Sequence, residues 1–214
     1  MSDTLDLRER RELCDLMLEV GPDAPTLCGE WTAFDLAAHL VVRERNPLAS
    51  PGIIFGGPFE GLTNRLMDHE KRRGFEAVVE RVRTPPFGPM RIDAVRSAVN
   101  LVEYTVHHED VRRPHGLGPR TDRDDLQRAI WSRIGRLSGL IVGKARIAPV
   151  ALTLNATGAV DASAPAGKGD RRVAVTGPPV ELLLFLYGRQ AIAEVEVDGD
   201  PADVEVAMHA NFGI

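Results

Sequence analysis

The sequence predicts an α+β chain, with a helical bundle over the first 145 residues or so and a small α/β domain after it. Two observations carry this. Apolar residues recur at the helical period as far as about Ala145. From Arg146 the pattern turns to alternation, in IAPVALTLNATG and RRVAVTG, the signature of half-buried strands. No internal repeat is found. The expected domains are therefore 1–145 and 146–214.

Each element has its own signal. Asp3 to Val20 is amphipathic and is stopped by Gly21-Pro22. A second helix begins at Thr32, where Asp35 three residues on makes a capping box with Asp in place of Glu. It runs through DLAAHLVVRER and ends before Pro47. Pro47 to Pro58 (PLASPGIIFGGP) reads as a Gly/Pro-rich loop. Helical pattern resumes from Glu60 to Val82 with a break near Gly74, and TPPFGP ends it. Another helix covers Ile92 to Arg113. A fifth starts at Thr121, again with Asp three residues later, and carries Leu126, Ile130, Ile134 and Leu137 on one face. Beyond Arg146, the two strands flank a loop read as flexible, ASAPAGKGD. GPPVELLLFLYGR is a short helix with prolines at its start, AIAEVEVDGD a half-buried strand, and PADVEVAMHANF a last helix.

Composition narrows the classes. The chain has 214 residues, 43% hydrophobic and 27% charged, with a net charge of −5. That balance is globular and mildly acidic, which argues against a nucleic-acid binder with its basic face. Runs such as Glu70-Lys71-Arg72-Arg73 are offset by nearby acids and read as a solvated helix face. The segment MSDTLDLRERRE lacks the apolar run of a signal peptide, and no stretch approaches the ~20 apolar residues needed to span a bilayer. A reduced, cytoplasmic setting without a membrane partner is expected. The two cysteines, Cys14 and Cys28, match neither a disulfide framework nor a zinc knuckle. Cys14, among Leu13, Leu16 and Met17, reads as a buried structural thiol.

The densest chemistry lies in EYTVHHEDVRRP, Glu103 to Pro114. Glu103 and His107 are four apart and share a helix face, and Asn100 and Asp110 extend that stripe one step each way. The valines at 95, 99, 102 and 106 run beside it, so the stripe borders the inward face, where a carboxylate needs a cation. His39, next to Leu40 and on the face of Leu36, offers a third donor from the second helix. Two imidazoles and a carboxylate suit zinc, and also non-haem iron or nickel. Asp110 is placed to orient an imidazole. The plain alternative is a helix ion pair and a core histidine, and spacing alone leaves both readings open. His108 and Glu109 are expected to point to other faces, into solvent.

LCGEWTAFDLAAHL (Leu27 to Leu40) together with EYTVHHEDVRRP resembles the mycothiol-dependent maleylpyruvate isomerase N-terminal family, in the DinB/YfiT-like metal-binding superfamily. The likeness is closest to an actinobacterial branch described only as metal-binding. The matching features are Trp31-Thr32, Asp35-Leu36, His39, and the Glu103–His107 pair. VTGPPVELLLFLYGR (Val175 to Arg189) and VEVDGDP (Val195 to Pro201) are similar to that family's C-terminal domain, which has a sterol-carrier-like fold. The resemblance implies a DinB-like four-helix bundle followed by that small domain. It also implies a divalent metal on His39, Glu103 and His107, zinc first; Asp110 and Asn100, from their places on the same helix stripe, are expected to support those ligands. Implied with it are a thiol such as mycothiol as co-substrate, an electrophilic small-molecule substrate, and S-transfer or isomerisation. Arg189, after Leu186-Tyr187-Gly188, is the candidate anchor for an anionic group of the thiol or substrate. Hydrolysis at the same site, or non-catalytic binding, are the competing expectations.

Overall fold

The computed structural model describes residues 4–45, 60–86 and 93–212. Among them are eight α-helices and one four-stranded sheet, an α+β arrangement. The contacts divide the chain into two compact units, residues 1–117 and 118–214. The sequence reading places the boundary at 145, where the hydrophobic period changes. The compact units separate a helix earlier, because the helix over 124–145 buries its apolar face on its own C-terminal neighbours.

The first unit holds α1 (Leu5–Val20), α2 (Ala33–Arg45), α3 (Glu60–Lys71), α4 (Phe75–Arg83) and α5 (Asp93–Arg112), then a 3-10 turn at Arg113–His115. α1 packs along α5 and against α4, and α2 against α3 and α4. Leu13, Cys14, Met17, Leu36, Ala37, Leu40, Val78, Val79, Tyr104 and Val111 form the core between them. The capping box is made as expected: the Thr32 N–H donates to Asp35 Oδ2 at 3.0 Å, and the Asp35 N–H to Thr32 Oγ1 at 3.3 Å. Gly74, at φ 88°, takes the left-handed turn that breaks the long pattern into α3 and α4. The Gly/Pro loop at 47–58 lies outside the described residues.

α1 and α5 also bury charge. Asp6, Arg10 and Arg96 are fully buried. Arg96 Nε bonds Asp6 Oδ2 at 2.6 Å, and Arg10 pairs with Glu44 at 2.5 Å while lying 4.3 Å over the Tyr104 ring. Each buried guanidinium thus has a carboxylate, the condition for tolerating charge in a core.

The second unit consists of α6 (Asp124–Ala145), β1 (Val150–Ala156), β2 (Ala162–Ala166), β3 (Arg171–Gly177), α7 (Pro179–Leu186), β4 (Glu196–Asp198) and α8 (Pro201–Met208). The sheet order is β2-β1-β3-β4, with β1 parallel to β3 and the outer pairs antiparallel. α7 is buried along its whole length, apolar but for Glu181, whose buried carboxylate accepts the Glu194 N–H at 2.9 Å.

Three expectations change here. ASAPAGKGD is not a free loop: its first five residues are β2, paired to β1 at the sheet edge, where Pro165 costs no ladder bond. The helix expected from Thr121 starts at Asp124, because 121–122 turn and Gln127 Nε2 bonds back to the Arg120 carbonyl at 3.0 Å. AIAEVEVDGD contributes only three strand residues. Its front half is drawn into turns, with the Ala193 N–H on the Arg189 carbonyl and the Glu194 N–H on Glu181 Oε2.

Candidate metal centre

α2 and α5 supply the donors. α2 presents Leu36, Ala37 and Leu40 to the core, and His39, on that buried stretch, is only 8% exposed. On α5, His107 lies one turn after Glu103, on the stripe read from spacing. The two imidazole rings meet at a centroid distance of 5.6 Å and 73° between planes. Trp31 also packs against His39, with ring centroids 5.0 Å apart. One donor atom from each of His39, Glu103 and His107 lies within 4.8 Å of the others.

His107 is held at both nitrogens. Nδ1 is 2.8 Å from Asp110 Oδ2, and Nε2 is 3.2 Å from Glu103 Oε1. Burial pulls its pKa down, but the hydrogen bonds to Asp110, Cys28 and Glu103 outweigh burial and leave it well above the ordinary value. Glu103 shows the mirror balance. Burial raises its pKa, yet the His107 bond and the Arg43 charge bring it to about 2. His39 is held neutral, at about 3, by burial first and then by the charge of His107.

The expected supporting residues take distinct positions. Asp110 is fully buried and orients His107 directly. Asn100 reaches Glu103 through an intermediary: its Oδ1 accepts from Arg43 Nη1 at 3.1 Å, and Arg43 Nε lies 3.0 Å from Glu103 Oε1. Asn100 Nδ2 donates in turn to Glu44 at 2.7 Å, which joins the cluster to buried Arg10. Arg189 belongs to the second unit, where its guanidinium donates to the Tyr187 carbonyl.

His108 and Glu109 are not in solvent. His108 is 4% exposed with Nδ1 3.2 Å from Glu9 Oε2, and Glu109 is fully buried against Arg112 and Arg113. α5 is packed on more than one side, so its polar residues face α1 as well as α2. Two contributors escaped sequence reasoning. Arg43 stands one turn after His39, a spacing that could have revealed it. Cys28 has no such signal: its Sγ lies 3.1 Å from Asp110 Oδ2 and 3.8 Å from His107 Nδ1, brought there by a turn.

The donor set fits a divalent cation. It offers two imidazoles and a carboxylate, and His39 Nδ1 is a buried nitrogen with no hydrogen-bond partner among the described residues. An orphaned polar atom of that kind is costly unless something binds it.

The fold is similar to that of a mycothiol-dependent maleylpyruvate isomerase, with a TM-score of 0.60 and 14% identity over 92% of this chain and 91% of that one. A His-to-Ala variant of a mycothiol-dependent maleylpyruvate isomerase is comparably similar, at TM-score 0.59 and 15% identity with the same coverage. No family model matches the chain, and no curated protein matches it in sequence. Among the described residues, no helix is long and apolar enough to cross a membrane.

Proposed function

We propose that the chain binds a divalent metal through His39, Glu103 and His107 and uses it with a small thiol, mycothiol or a relative, as an S-transferase or isomerase acting on an electrophilic small molecule. The observation that carries this is the convergence of one donor atom from each of the three residues within 4.8 Å, on a buried His39 whose Nδ1 has no hydrogen-bond partner among the described residues. The likeness of fold to a mycothiol-dependent isomerase supports the thiol requirement. With it goes the reading of the first helices as a DinB-like four-helix bundle and of the C-terminal unit as sterol-carrier-like, in a cytoplasmic setting.

Zinc is the first choice of metal, with nickel or iron as alternatives. Bound there, the cation would lower the pKa of a thiol and supply thiolate at neutral pH. The residues have separate tasks. His39, kept neutral by burial, presents a lone pair without having to lose a proton. Glu103, kept ionised, offsets some of the cation's charge. Asp110 fixes the His107 ring, and Asn100 holds Arg43 against Glu103. Arg189 is assigned to an anionic group of the thiol or substrate.

The test has two stages. Metal-free chain titrated with zinc or cobalt should take up the ion, and His39→Ala and His107→Ala should lose it. Turnover of an electrophile by the loaded protein should then require mycothiol. Turnover without thiol would replace this reading with metal-assisted hydrolysis. Metal uptake with no turnover of any electrophile would leave a binding module.

A further inference from the structure

The geometry points to a second metal position, formed by Cys28, Asp110 and the Nδ1 side of His107, that takes thiophilic divalent ions such as cadmium and competes with the His39/Glu103 set for His107. Sγ to Oδ2 is 3.1 Å, Sγ to Nδ1 is 3.8 Å and Nδ1 to Oδ2 is 2.8 Å, so three donors of different softness already converge on one point. The set lies across the imidazole from Glu103, which holds Nε2.

The local structure keeps this triad in register. The Leu27 N–H donates to the Asp110 carbonyl at 3.0 Å and ties the turn to the end of α5. Thr26 Oγ1 accepts the Cys28 N–H at 3.1 Å and donates to the Trp31 carbonyl at 2.7 Å. Cys28 is only partly buried, whereas Asp110 is fully buried, so an ion would reach the sulfur first. On binding, the thiol proton and the proton on His107 Nδ1 both leave to solvent, so the sulfur takes the ion as thiolate and the imidazole as a neutral ring protonated on Nε2.

His107 explains why the two sets exclude one another. If Nε2 binds an ion beside His39 and Glu103, the Nδ1 proton is donated to Asp110. If Nδ1 binds an ion beside Cys28 and Asp110, the Nε2 proton is donated to Glu103. Either way the second nitrogen has a carboxylate acceptor, the usual support for a ligating imidazole. Soft thiolate against imidazole and carboxylate then sorts the ions. Cadmium favours the sulfur set, and nickel the nitrogen–oxygen set.

Cadmium chloride titrated alone into the full metal-free chain should give sulfur-to-cadmium charge-transfer absorption. Cys28→Ser should abolish that absorption and weaken cadmium binding by at least about 100-fold, the upper end of what losing a mere supporting partner costs. His39→Ala should leave both unchanged. Nickel should show the reverse dependence on the two variants. Cadmium should also block alkylation of Cys28 in the unmutated chain, a readout free of any folding defect in a variant. The proposal is overturned if saturating cadmium gives no such absorption or leaves Cys28 open to alkylation. It is equally overturned if Cys28→Ser binds cadmium like wild type, or if His39→Ala loses it as fully as Cys28→Ser. None of these outcomes depends on thiol-dependent turnover.

Discussion

Glu103 and His107 meet Oε1 to Nε2 at 3.2 Å, one turn apart on α5. Arg43 approaches the same carboxylate oxygen at 3.0 Å, so the carboxylate already faces two cationic partners before any metal is considered. Glu103→Gln keeps the size and one carbonyl oxygen but removes the charge. Zinc affinity, measured by competition with a chromogenic chelator, is expected to fall at least about tenfold while the circular dichroism spectrum stays the same. Wild-type affinity in this variant would reduce the pair to a helix ion pair.

The pH dependence follows from the two imidazoles, which run in opposite directions. His39 sits at about 3 when folded, below its unfolded value of about 6.5, so the unfolded chain takes up the proton first as pH falls. Its contribution is intact above about pH 6.5 and is lost from there toward pH 3. His107 is raised, so its contribution is full below about 6.5 and is lost as pH rises through its folded value. Between pH 7 and pH 5, metal-free wild type should lose about 2 kcal/mol more stability than His39→Gln, read from urea unfolding at each pH. Equal slopes would mean that His39 is solvated.

The buried Asp6–Arg96 pair gives a test of the α1–α5 packing. Both side chains are fully buried, and Thr4 Oγ1 adds a bond to Arg96 Nη2 at 2.9 Å. Asp6→Ala leaves the guanidinium without its carboxylate and should cost about 3–5 kcal/mol in chemical unfolding. Replacing both partners with apolar residues of similar size should recover most of that loss. A cost under about 1 kcal/mol for the single change would mark a solvated pair.

What the sequence disclosed, and what it withheld, follows from the range of each interaction. The α2 cap, the break at Gly74 and the Glu103–His107 pair depend on residues within four positions, and local spacing exposes them. His39 can be placed because the leucines beside it mark the inward face. Cys28, in contrast, reaches Asp110 through a turn whose path depends on the Leu27 bond to the end of α5, and no periodicity encodes that. His108 and Glu109 defy the sequence reading for a related reason. A helix packed on one side shows its polar residues to water, but α5 also meets α1, where Glu9 receives His108. β2 is hidden by composition: Ala, Ser and Pro carry little strand signal, and β1 supplies the pairing.

The last expectation concerns where the chain divides. Hydrophobic period changes at 145, yet α6 buries Leu126, Ile130, Ile134, Ile141 and Val142, and it packs on α7, β1 and β2. Gln127 strengthens the tie, since its Oε1 accepts the Val180 N–H at 3.0 Å and caps the start of α7. Five buried apolar side chains at about 1.5–3 kcal/mol each amount to as much as a small domain's whole net stability. A fragment of residues 118–214 should therefore unfold cooperatively, with dispersed amide signals in its NMR spectrum. A fragment of residues 146–214, deprived of α6, should expose the α7 face and either aggregate or give collapsed, undispersed spectra. A cooperative transition in the 146–214 fragment would restore the boundary at 145 and make α6 a member of the helical bundle.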